Sequence, residues 1–565
     1  MKIEQKNYDI LILGAGGAGL YTALNIDNKK KKLAIISKLH PLNSHTYAAQ
    51  GGINAPLGNV INDKADWFIY DTIKASDYLA DQDSVKILCK NANKAIKNLS
   101  KLGVAFTKDK SGKIYQRPYG GQTIDFGKET AYRACGVADR TGENIMQILY
   151  KKALEKNIDI FSEYFILEIL QQQDQVTGVI ALDIKQQKII QFNSNNIVIA
   201  TGGCAGLYAS NTAANSCTGD GLALALKLGL ELQDMEFIQF HPTTLANNGL
   251  LISEIARGEG GYLTNRKGER FMEIYAPIYK DLASRDIVAK AISNEILLGN
   301  GCGKHKDYVH LNIMHLKKDK ITKYLPNLYN TCMKFAKIDP TKEPIPVKPS
   351  AHYVMGGIPT NKNAETEIKG LYAVGEVASS SVHGANRLGC NSLLELFVFA
   401  EILANNLNKL PNKPHSYISK TNYTIKSGKN TYSDIQNQKL ALGLIFDKYL
   451  GVTRDQKSLE KLKKEYIKIS KKINDLAIEN FNDPQLVISL YELKNLNIIA
   501  PILIESALAR KESRGAHYRK DYPDRNDKIY LKHTRCNQKL EISYKKIRKI
   551  RGELAKKLQA KERKY

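Results

Sequence analysis

The fold of this chain is decided by residues 8–26, which read YDILILGAGGAGLYTALNI. The run that ends at Leu13 is short and mostly apolar, which is typical of a buried parallel strand. A G-x-G-x-x-G turn follows it, and apolar residues at helical spacing come next. In a dinucleotide-binding unit of this kind, Gly14 permits the tight turn, Gly16 lets the backbone approach a pyrophosphate, and Gly19 lets helix and strand pack closely. The stretch therefore predicts a nucleotide-binding βα unit whose helix N-terminus faces phosphates.

The second strand argues against an ordinary NAD domain. Residues 33–36 are followed by Ser37 and Lys38, where an NAD domain carries an acidic residue for the ribose. Two later strands, 196–201 and 370–376, also run into glycines. Three such strands from distant parts of the sequence predict one discontinuous nucleotide-binding domain, with a substrate domain inserted between the last two.

Two further stretches indicate local structure. Residues 43–53 (NSHTYAAQGGI) are small and polar without a helical or strand period, which suits a loop that a ligand approaches closely. A stripe of apolar residues that steps by three and four predicts a helix within a helical domain at about 410–510. The stripe consists of Leu459, Leu462, Tyr466, Ile469, Ile473 and Leu476.

Composition excludes several classes of protein. The 565 residues are 43% hydrophobic and 25% charged, as in ordinary soluble proteins, and the formal net charge is +26. A basic balance can indicate nucleic acid, anionic membranes or acidic substrates. Because the lysines are spread along the chain and no helix-turn-helix, zinc-finger or RNP pattern occurs, we interpret the charge as compositional bias and expect no nucleic-acid partner. No run of 18 apolar residues and no export signal is visible, so we do not expect this chain to span a membrane by itself.

The eight cysteines form no Cys-x-x-Cys pair. A metal centre or iron–sulfur cluster needs several converging thiolates, usually at tight spacing. The sequence therefore predicts no metal and no cluster in this chain, and scattered single cysteines are typical of reduced thiols in the cytoplasm.

A series of longer motifs indicates a family. The chain closely resembles the flavoprotein subunits of succinate dehydrogenase and fumarate reductase over about residues 8–534. The motifs that carry this resemblance are SHT at 44–46 with AAQGGI at 48–53, ADRTG at 138–142, QFHPT at 239–243, RGEGGY at 257–262, SRD at 284–286, HY at 352–353 ahead of GGI at 356–358, HGANRLG at 383–389 and ESRGAH at 512–517.

The resemblance implies an α/β fold in four parts. A discontinuous Rossmann-like FAD-binding domain would comprise residues 1–237 and 350–408, with an α+β capping domain inserted at 238–349. A helical domain at 409–510 and a C-terminal segment at 511–565 would follow.

The resemblance also implies FAD rather than NAD, with the flavin bound covalently to His45. Such a bond would raise the flavin potential and help it to accept a hydride from an unactivated C–H bond. The expected non-covalent contacts are Gly14, Ala15, Gly16, Gly17, Ala18, Gly19, Ser37, Lys38, Ser44, Thr46, Ala49, Gln50, Gly51, Gly52, Asp220, Glu376, Ser392 and Leu393.

The implied substrate is a four-carbon dicarboxylate, which needs cationic or hydrogen-bonding groups at both ends. Arg387 can grip a carboxylate bidentately. His241, His352 and the hydroxyl of Ser253 can supply further donors, and Glu254 belongs to the same expected set. The family usually has Thr where this chain has Ser253, but the hydroxyl is retained.

Arg285 is the implied proton carrier. Arginine is a poor base in water because its pKa exceeds about 12. It could serve if its surroundings disfavour the charge, or if it relays protons to Glu254 or Asp286. The alternative for Arg285 is a purely structural ion pair with Asp286.

The implied activity is that of the flavoprotein subunit of a succinate:quinone oxidoreductase of the tricarboxylic acid cycle and electron transport. Its partners would be an iron–sulfur subunit, membrane anchor subunits and quinone, which would hold the chain on the cytoplasmic side of the inner membrane. An L-aspartate oxidase is the alternative, because it shares the HPT and GANR motifs, although His45 argues against it. The same residues would catalyse both directions, so the direction stays open.

The basic tail at 545–565 carries ten basic residues against Glu553 and Glu562. Its apolar residues step by three and four, which predicts one stripe on a helix. These residues are Ile547, Ile550, Leu554 and Leu558. One hypothesis is a helix that docks on an acidic partner or on anionic lipid; the other is a solvated, frayed terminal helix.

Overall fold

The computed structural model describes residues 3–411, 428–478 and 483–563. The strands up to residue 237 are β1 (Glu4–Asn7), β2 (Ile10–Leu13), β3 (Leu33–Ser37), β4 (Ile53–Asn54), β5 (Gln116–Ile124), β6 (Glu129–Cys135), β7 (Asp159–Ser162), β8 (Tyr164–Gln172), β9 (Gln175–Asp183), β10 (Lys188–Asn193), β11 (Ile197–Ile199) and β12 (Leu232–Gln233). The helices of this part are α1 (Gly17–Asn25), α2 (Ala65–Ala75), α3 (Gln82–Lys90), α4 (Ala92–Leu102), α5 (Thr141–Glu155) and α6 (Asp220–Lys227).

The next part of the chain, as far as residue 408, contains a second sheet and then returns to the first. Its strands are β13 (Ile238–Leu245), β14 (Tyr262–Thr264), β15 (Val309–Asn312), β16 (Ile345–Val354), β17 (Ile358–Pro359), β18 (Leu371–Ala373) and β19 (Ala378–Ser379). Its helices are α7 (Ile255–Gly258), α8 (Met272–Tyr275), α9 (Arg285–Leu297), α10 (Lys318–Tyr324), α11 (Pro326–Thr331) and α12 (Asn391–Leu407).

The remaining chain is mainly helical and ends in a small sheet. Its elements are α13 (Tyr432–Tyr449), β20 (Thr453–Arg454), α14 (Gln456–Asp475), α15 (Pro484–Ala509), β21 (Tyr518–Arg519), α16 (Asp527–Tyr530), β22 (Lys532–Cys536), β23 (Ile542–Lys546) and α17 (Glu553–Lys557).

The central sheet has the strand order β18-β11-β2-β3-β7, and all its neighbouring strands are parallel. The three strands that the sequence singled out, β2, β11 and β18, therefore lie side by side. Their residues are buried, as the apolar runs predicted. The predicted α/β class with a discontinuous nucleotide-binding sheet is confirmed.

The glycine-rich turn after β2 has the backbone that its sequence requires. Gly14 has a φ of +110°, and a Cβ there would lie 2.4 Å from the carbonyl oxygen of Ala200. A Cβ on Gly19 would lie 2.0 Å from the carbonyl oxygen of Gly14. Neither position can accept a side chain, so α1 packs directly on the sheet and its N-terminus points at the strand ends.

The inserted part contains an antiparallel sheet with the order β13-β16-β15-β14. Its first two strands pair Gln239 with Tyr353 and His241 with Ser350, and the register shifts on both sides of Phe240 and His241. Helix α9 packs against β13 and β16. Arg285, the first residue of α9, is thereby brought beside the histidines of the two strands.

The predicted helical stripe lies on α14, which ends at Asp475, one residue before the last member of the stripe. Leu459, Leu462 and Ile473 are buried in it. The neighbouring α15 is the one described helix that is long and apolar enough to cross a membrane, but 67% of its apolar window is buried inside the protein, as in a core helix. Part of the predicted helical domain, residues 412–427 and 479–482, lies outside the described residues.

The predicted tail helix is wrong. Residues up to Lys546 form β23, which pairs with β22, and only α17 is helical beyond it. Arg548 binds Asp81 at 2.7 Å and Asp83 at 2.9 Å, and Leu558 is buried in the core around α3. The tail is therefore not one continuous helix: Arg548 and Leu558 contact the chain itself, whereas the described lysines of the tail are exposed.

Candidate active site

A cavity of about 320 Å³ runs from the ends of β2, β11 and β18 to the sheet of the inserted part. Every residue that the sequence predicted for cofactor or substrate lines this cavity, except Gly19. Gly19 instead provides the close contact of α1 with the strand turn. Residues from distant stretches of the chain, between Gly14 and Leu396, are thus brought to one elongated space.

Several buried polar groups at the cavity wall have no hydrogen-bond partner among the described residues. They are Ser44 Oγ, Gln50 Oε1, Tyr119 Oη, Thr201 Oγ1 and Arg387 Nε. Leaving such a group unpaired costs about 1–3 kcal/mol. The distribution fits a long ligand with polar atoms along its length, as FAD is.

Two helices present their N-termini to this space. Helix α1 begins after Gly16, which offers no side-chain cap, and Gly16 and Gly17 line the cavity. Helix α12 begins after Cys390, and Ser392 and Leu393 in its first turn also line the cavity. The first N–H groups of a helix lack partners within it and favour anionic or carbonyl oxygen atoms, so both ends suit phosphate and flavin oxygens.

Lys38 lines the same cavity, but its ammonium group is already bound. Its Nζ lies 2.7 Å from Asp220, 2.6 Å from Glu492 on α15, and 2.6 Å from Thr218. The carboxylates outweigh the effect of burial and raise the pKa of Lys38. Lys38 would therefore meet a cofactor through its backbone, and its side chain joins α15 to the nucleotide-binding sheet.

His45 is held as a neutral imidazole. Burial, together with the positive charge of Arg387, lowers the pKa of His45 to about 4. Its Nδ1 accepts a hydrogen bond from the backbone N–H of Ala214 at 3.2 Å. Nε2 is thus the nitrogen left to react with or contact a ligand.

Arg387 lies at the end of the cavity next to His45. Its NH1 donates to Ser392 Oγ at 2.9 Å, and its NH2 donates to Gln239 Oε1 at 3.0 Å. The guanidinium lies over the ring of Tyr353, 4.4 Å from its centroid. Burial, with the charge of Arg285, lowers the pKa of Arg387 to about 10. It remains a cation at neutral pH and forms no ion pair within the described residues.

Two more histidines adjoin this end. The rings of His241 and His352 are 5.1 Å apart, and burial together with Arg285 lowers the pKa of both well below the usual value. The Nδ1 of His241 lies 3.0 Å from the carbonyl oxygen of Thr243, and the Nδ1 of His352 lies 2.6 Å from Thr212 Oγ1. Both imidazoles are neutral before a ligand binds.

Two hydrogen bonds hold the guanidinium of Arg285 in place. Its Nε donates to Glu254 Oε2 at 2.7 Å, and its NH1 donates to Gln239 Oε1 at 3.1 Å. This leaves NH2 as the nitrogen that can reach a substrate in the cavity. Arg285 and Arg257 hold the pKa of Glu254 below its usual value although burial alone would raise it. Asp286, the other expected partner, binds Arg563 at 2.6 Å instead.

The sequence motifs did not assign a role to some residues at this site. Gln239 joins the two arginines, and Arg257 NH2 lies 3.8 Å from Glu254 Oε1, yet each was only one letter of a longer motif. Thr212 and Tyr119 stand outside every quoted motif, and nothing in their sequence context indicated a contact with the site.

Comparison with known proteins identifies the family. A family model described as FAD binding domain matches residues 9–393, and one described as Fumarate reductase flavoprotein C-term matches residues 439–565. The second match extends to the end of the sequence, so the expected limit of the resemblance at about residue 534 is wrong.

Individual relatives agree with these models. The chain is 45% identical to the succinate dehydrogenase flavoprotein subunit of Rickettsia bellii, over 94% of this chain and 93% of that protein. It is 34% identical to the fumarate reductase flavoprotein subunit of Haemophilus influenzae, over 98% and 97% of the two chains. A solved structure of E. coli quinol fumarate reductase aligns with a TM-score of 0.90 at 32% identity, covering 99% of this chain and 100% of that one. With these relatives, and with a cavity that fits FAD, the chain belongs to the family of succinate dehydrogenase and fumarate reductase flavoprotein subunits, which are FAD-dependent oxidoreductases.

Proposed function

We propose that this chain is the flavoprotein subunit of a succinate:quinone oxidoreductase and interconverts succinate and fumarate. The observation that carries the proposal is the charge at one end of the FAD cavity. Arg285 and Arg387 converge on a single neutral atom, Gln239 Oε1, and Glu254 is the one carboxylate bound to either arginine within the described residues. A site with surplus positive charge, flanked by hydrogen-bonding imidazoles, suits a small dianion.

Bound FAD would supply the hydride acceptor. Arg387 and the histidines would grip the carboxylates, and Ser253 lines the same wall, buried, with its hydroxyl accepting from the N–H of Ile255 at 3.3 Å. Fixing both ends of the substrate holds its central C–C bond in one orientation, which lowers the entropic part of the barrier.

Arg285 would move the proton. Its NH2 faces the substrate, and its Nε is bonded to Glu254, whose other oxygen accepts from the N–H of Gly120 at 3.0 Å and lies 3.8 Å from Arg257. Arg257 is buried, which lowers its pKa. Arg285 would therefore exchange a proton with Glu254 and Arg257 behind it, so that it need not itself be a strong base in water.

The FAD would be bonded covalently to His45. Because Nδ1 of the neutral imidazole accepts the N–H of Ala214, Nε2 carries the ring proton and would release it on bonding to the flavin. His45 lines the cavity beside Arg387 and His352. A flavin attached there would be adjacent to the substrate-binding end.

Electrons would leave through a separate iron–sulfur subunit. All eight cysteines are single and buried, and no group of metal-binding side chains occurs among the described residues. The E. coli relative is a quinol fumarate reductase. We therefore propose that an iron–sulfur subunit connects this chain to quinone and that anchor subunits hold the complex on the cytoplasmic side of the inner membrane.

Anaerobic titration tests the activity directly. Succinate should bleach the flavin absorbance of the FAD-loaded protein, and fumarate should restore it in protein reduced with dithionite. L-Aspartate in place of succinate should leave the flavin oxidised. Bleaching by L-aspartate but not by succinate would replace the proposal by an aspartate oxidase.

A further inference from the structure

Gln239 is a fully buried side chain that joins the two active-site arginines. Its Oε1 accepts from Arg285 NH1 at 3.1 Å and from Arg387 NH2 at 3.0 Å. The proton carrier and the carboxylate-binding arginine are thus held by the same oxygen atom. A shift or rotation of this amide would move both guanidinium groups together.

The orientation of Gln239 is set by its neighbours. Its Nε2 donates to Asn386 Oδ1 at 2.8 Å and to the carbonyl oxygen of Arg387 at 2.8 Å. Asn386 in turn donates through Nδ2 to Asp286 Oδ1 at 3.0 Å. Because a carboxylate only accepts hydrogen bonds, the amide N–H of Asn386 must face Asp286, which turns Asn386 Oδ1 toward Gln239. Gln239 therefore directs its Nε2 to Asn386 and its Oε1 to the two arginines.

The carboxylate at the start of this series is anchored by the C-terminal tail. Asp286 is 8% exposed, and its Oδ2 accepts from Arg563 NH2 at 2.6 Å, while Oδ1 also accepts from Ser284 Oγ at 2.5 Å. Arg563 binds Asp77, at the end of α2, at 3.2 Å as well. A buried carboxylate is costly unless it is paired, and the tail provides the cation that pairs with Asp286 and holds it in place.

A neutral acceptor suits this position. Two guanidinium groups around one oxygen repel each other, and a carboxylate there would bring them together by forming ion pairs. Those ion pairs would also cancel the positive charge that a dianionic substrate needs. The amide of Gln239 holds both cations without removing their charge, and hydrogen bonds in series strengthen one another in a buried environment.

We propose that Gln239 is a positioning residue for Arg285 and Arg387, and that Asn386, Asp286 and the tail residue Arg563 fix its orientation. The inference rests on the proposed function, since it concerns the arginines that would bind and protonate the dicarboxylate. It assigns the C-terminal tail to the support of the active site, on the same chain.

The first experiment replaces the amide in the FAD-loaded complex. Gln239→Met removes the shared acceptor at nearly constant volume and should lower kcat/KM for succinate at least 30-fold. Gln239→Glu should raise the KM at least 20-fold. The matched control is Gln233→Met, because Gln233 is an equally buried glutamine that donates to Ser379 and Ser381 and accepts from Arg535, outside this cavity. Its kinetic constants should stay within twofold of wild type.

The second experiment tests the tail. Arg563→Gln should lower kcat three- to tenfold, and Arg563→Lys should regain at least half of the kcat that is lost. The FAD content and the melting temperature of each variant are measured alongside kcat. Lys561→Gln on the same tail, where Lys561 lies over the ring of Tyr70, is the control and should stay within twofold.

Different results would refute the proposed function and the positioning role of Gln239. A wild-type complex that does not oxidise succinate would refute the proposed function. If the wild type is active, two results would overturn the inference while leaving the proposed function intact. One is that Gln239→Met has the same kinetic constants as Gln233→Met. The other is that Arg563→Gln lowers the melting temperature but leaves kcat per bound FAD unchanged.

Discussion

Replacing Arg285 by glutamine should abolish turnover while leaving the dicarboxylate site largely intact. A positioned proton carrier contributes roughly 10²–10⁴-fold to a rate, and each tenfold corresponds to about 1.4 kcal/mol. The structure favours a value near the middle of this range. Two nitrogens of Arg285 are bound at 2.7 and 3.1 Å to Glu254 and Gln239, so NH2 is the group available to the substrate.

The substitution also disturbs Glu254 behind it. Without Arg285, the nearest remaining cation is Arg257 at 3.8 Å, and burial would then raise the pKa of Glu254. The relay would thus lose the cation that holds Glu254 in place at 2.7 Å and lowers its pKa. We therefore expect kcat to fall about 1,000-fold, or about 4 kcal/mol in barrier height. Arg285→Lys should also fail, because one ammonium cannot hold Glu254 and Gln239 and reach the substrate as well.

The assay is succinate-dependent dye reduction per bound FAD, with dicarboxylate binding followed by the change in flavin absorbance. Arg270→Gln is the matched control, since Arg270 is 44% exposed, lies outside the cavity, and contacts Asp281 at 3.4 Å and the ring of Tyr262. That variant should keep its rate. An Arg285→Gln enzyme that retains more than a tenth of the wild-type kcat would show that another group carries the proton.

Mass spectrometry of a digest should find FAD on the peptide that contains His45, and His45→Ser should leave the FAD dissociable and impair succinate oxidation more than fumarate reduction; an unmodified peptide from active enzyme would contradict this. Because burial keeps the pKa of His241 and His352 below its usual value, both are neutral in the free site, and a bound dianion should raise their pKa. Dicarboxylate binding should thus take up protons and weaken as pH rises, which calorimetry in two buffers measures; zero uptake would count against the assignment. Arg387→Lys should raise the KM more than tenfold through loss of the planar fork, and an unchanged KM would exclude Arg387 from carboxylate binding. The isolated, FAD-loaded chain should reduce artificial dyes but not quinone, and direct quinone reduction would remove the need for an iron–sulfur partner.

The sequence predicted those parts of the structure that depend on local pattern. The turn at Gly14 and the apolar strands β2, β11 and β18 could be predicted because buried parallel strands and their glycine turns have short, continuous signatures. The residues of the cavity could be placed together because long motifs carry them. Thr212 and its bond to His352 could not, since a threonine in a loop has no signature until the fold brings it to its partner.

The tail shows why pattern alone fails at long range. Its apolar residues have helical spacing, but Lys545 pairs with His533 in a sheet and Gly552 adopts a φ of +99°, which ends any regular helix there. Arg548 and Arg563 find buried carboxylates hundreds of residues earlier in the sequence. Tertiary partners of this kind outweigh helical periodicity, and no short window of sequence contains them.

The order of strands in the central sheet has a consequence for biogenesis. Strand β18 completes the sheet beside β11, although the whole inserted part is synthesised between them. A growing chain thus exposes the open edge of β11 until residues 371–373 have left the ribosome, and an open edge is a place for wrong pairing. Glu376, Ser392 and Leu393 arrive later still, so the cavity has no complete wall before then. Loading of FAD is therefore a late event in the life of the chain, and a product truncated before β18 would be a cofactor-free species prone to aggregation.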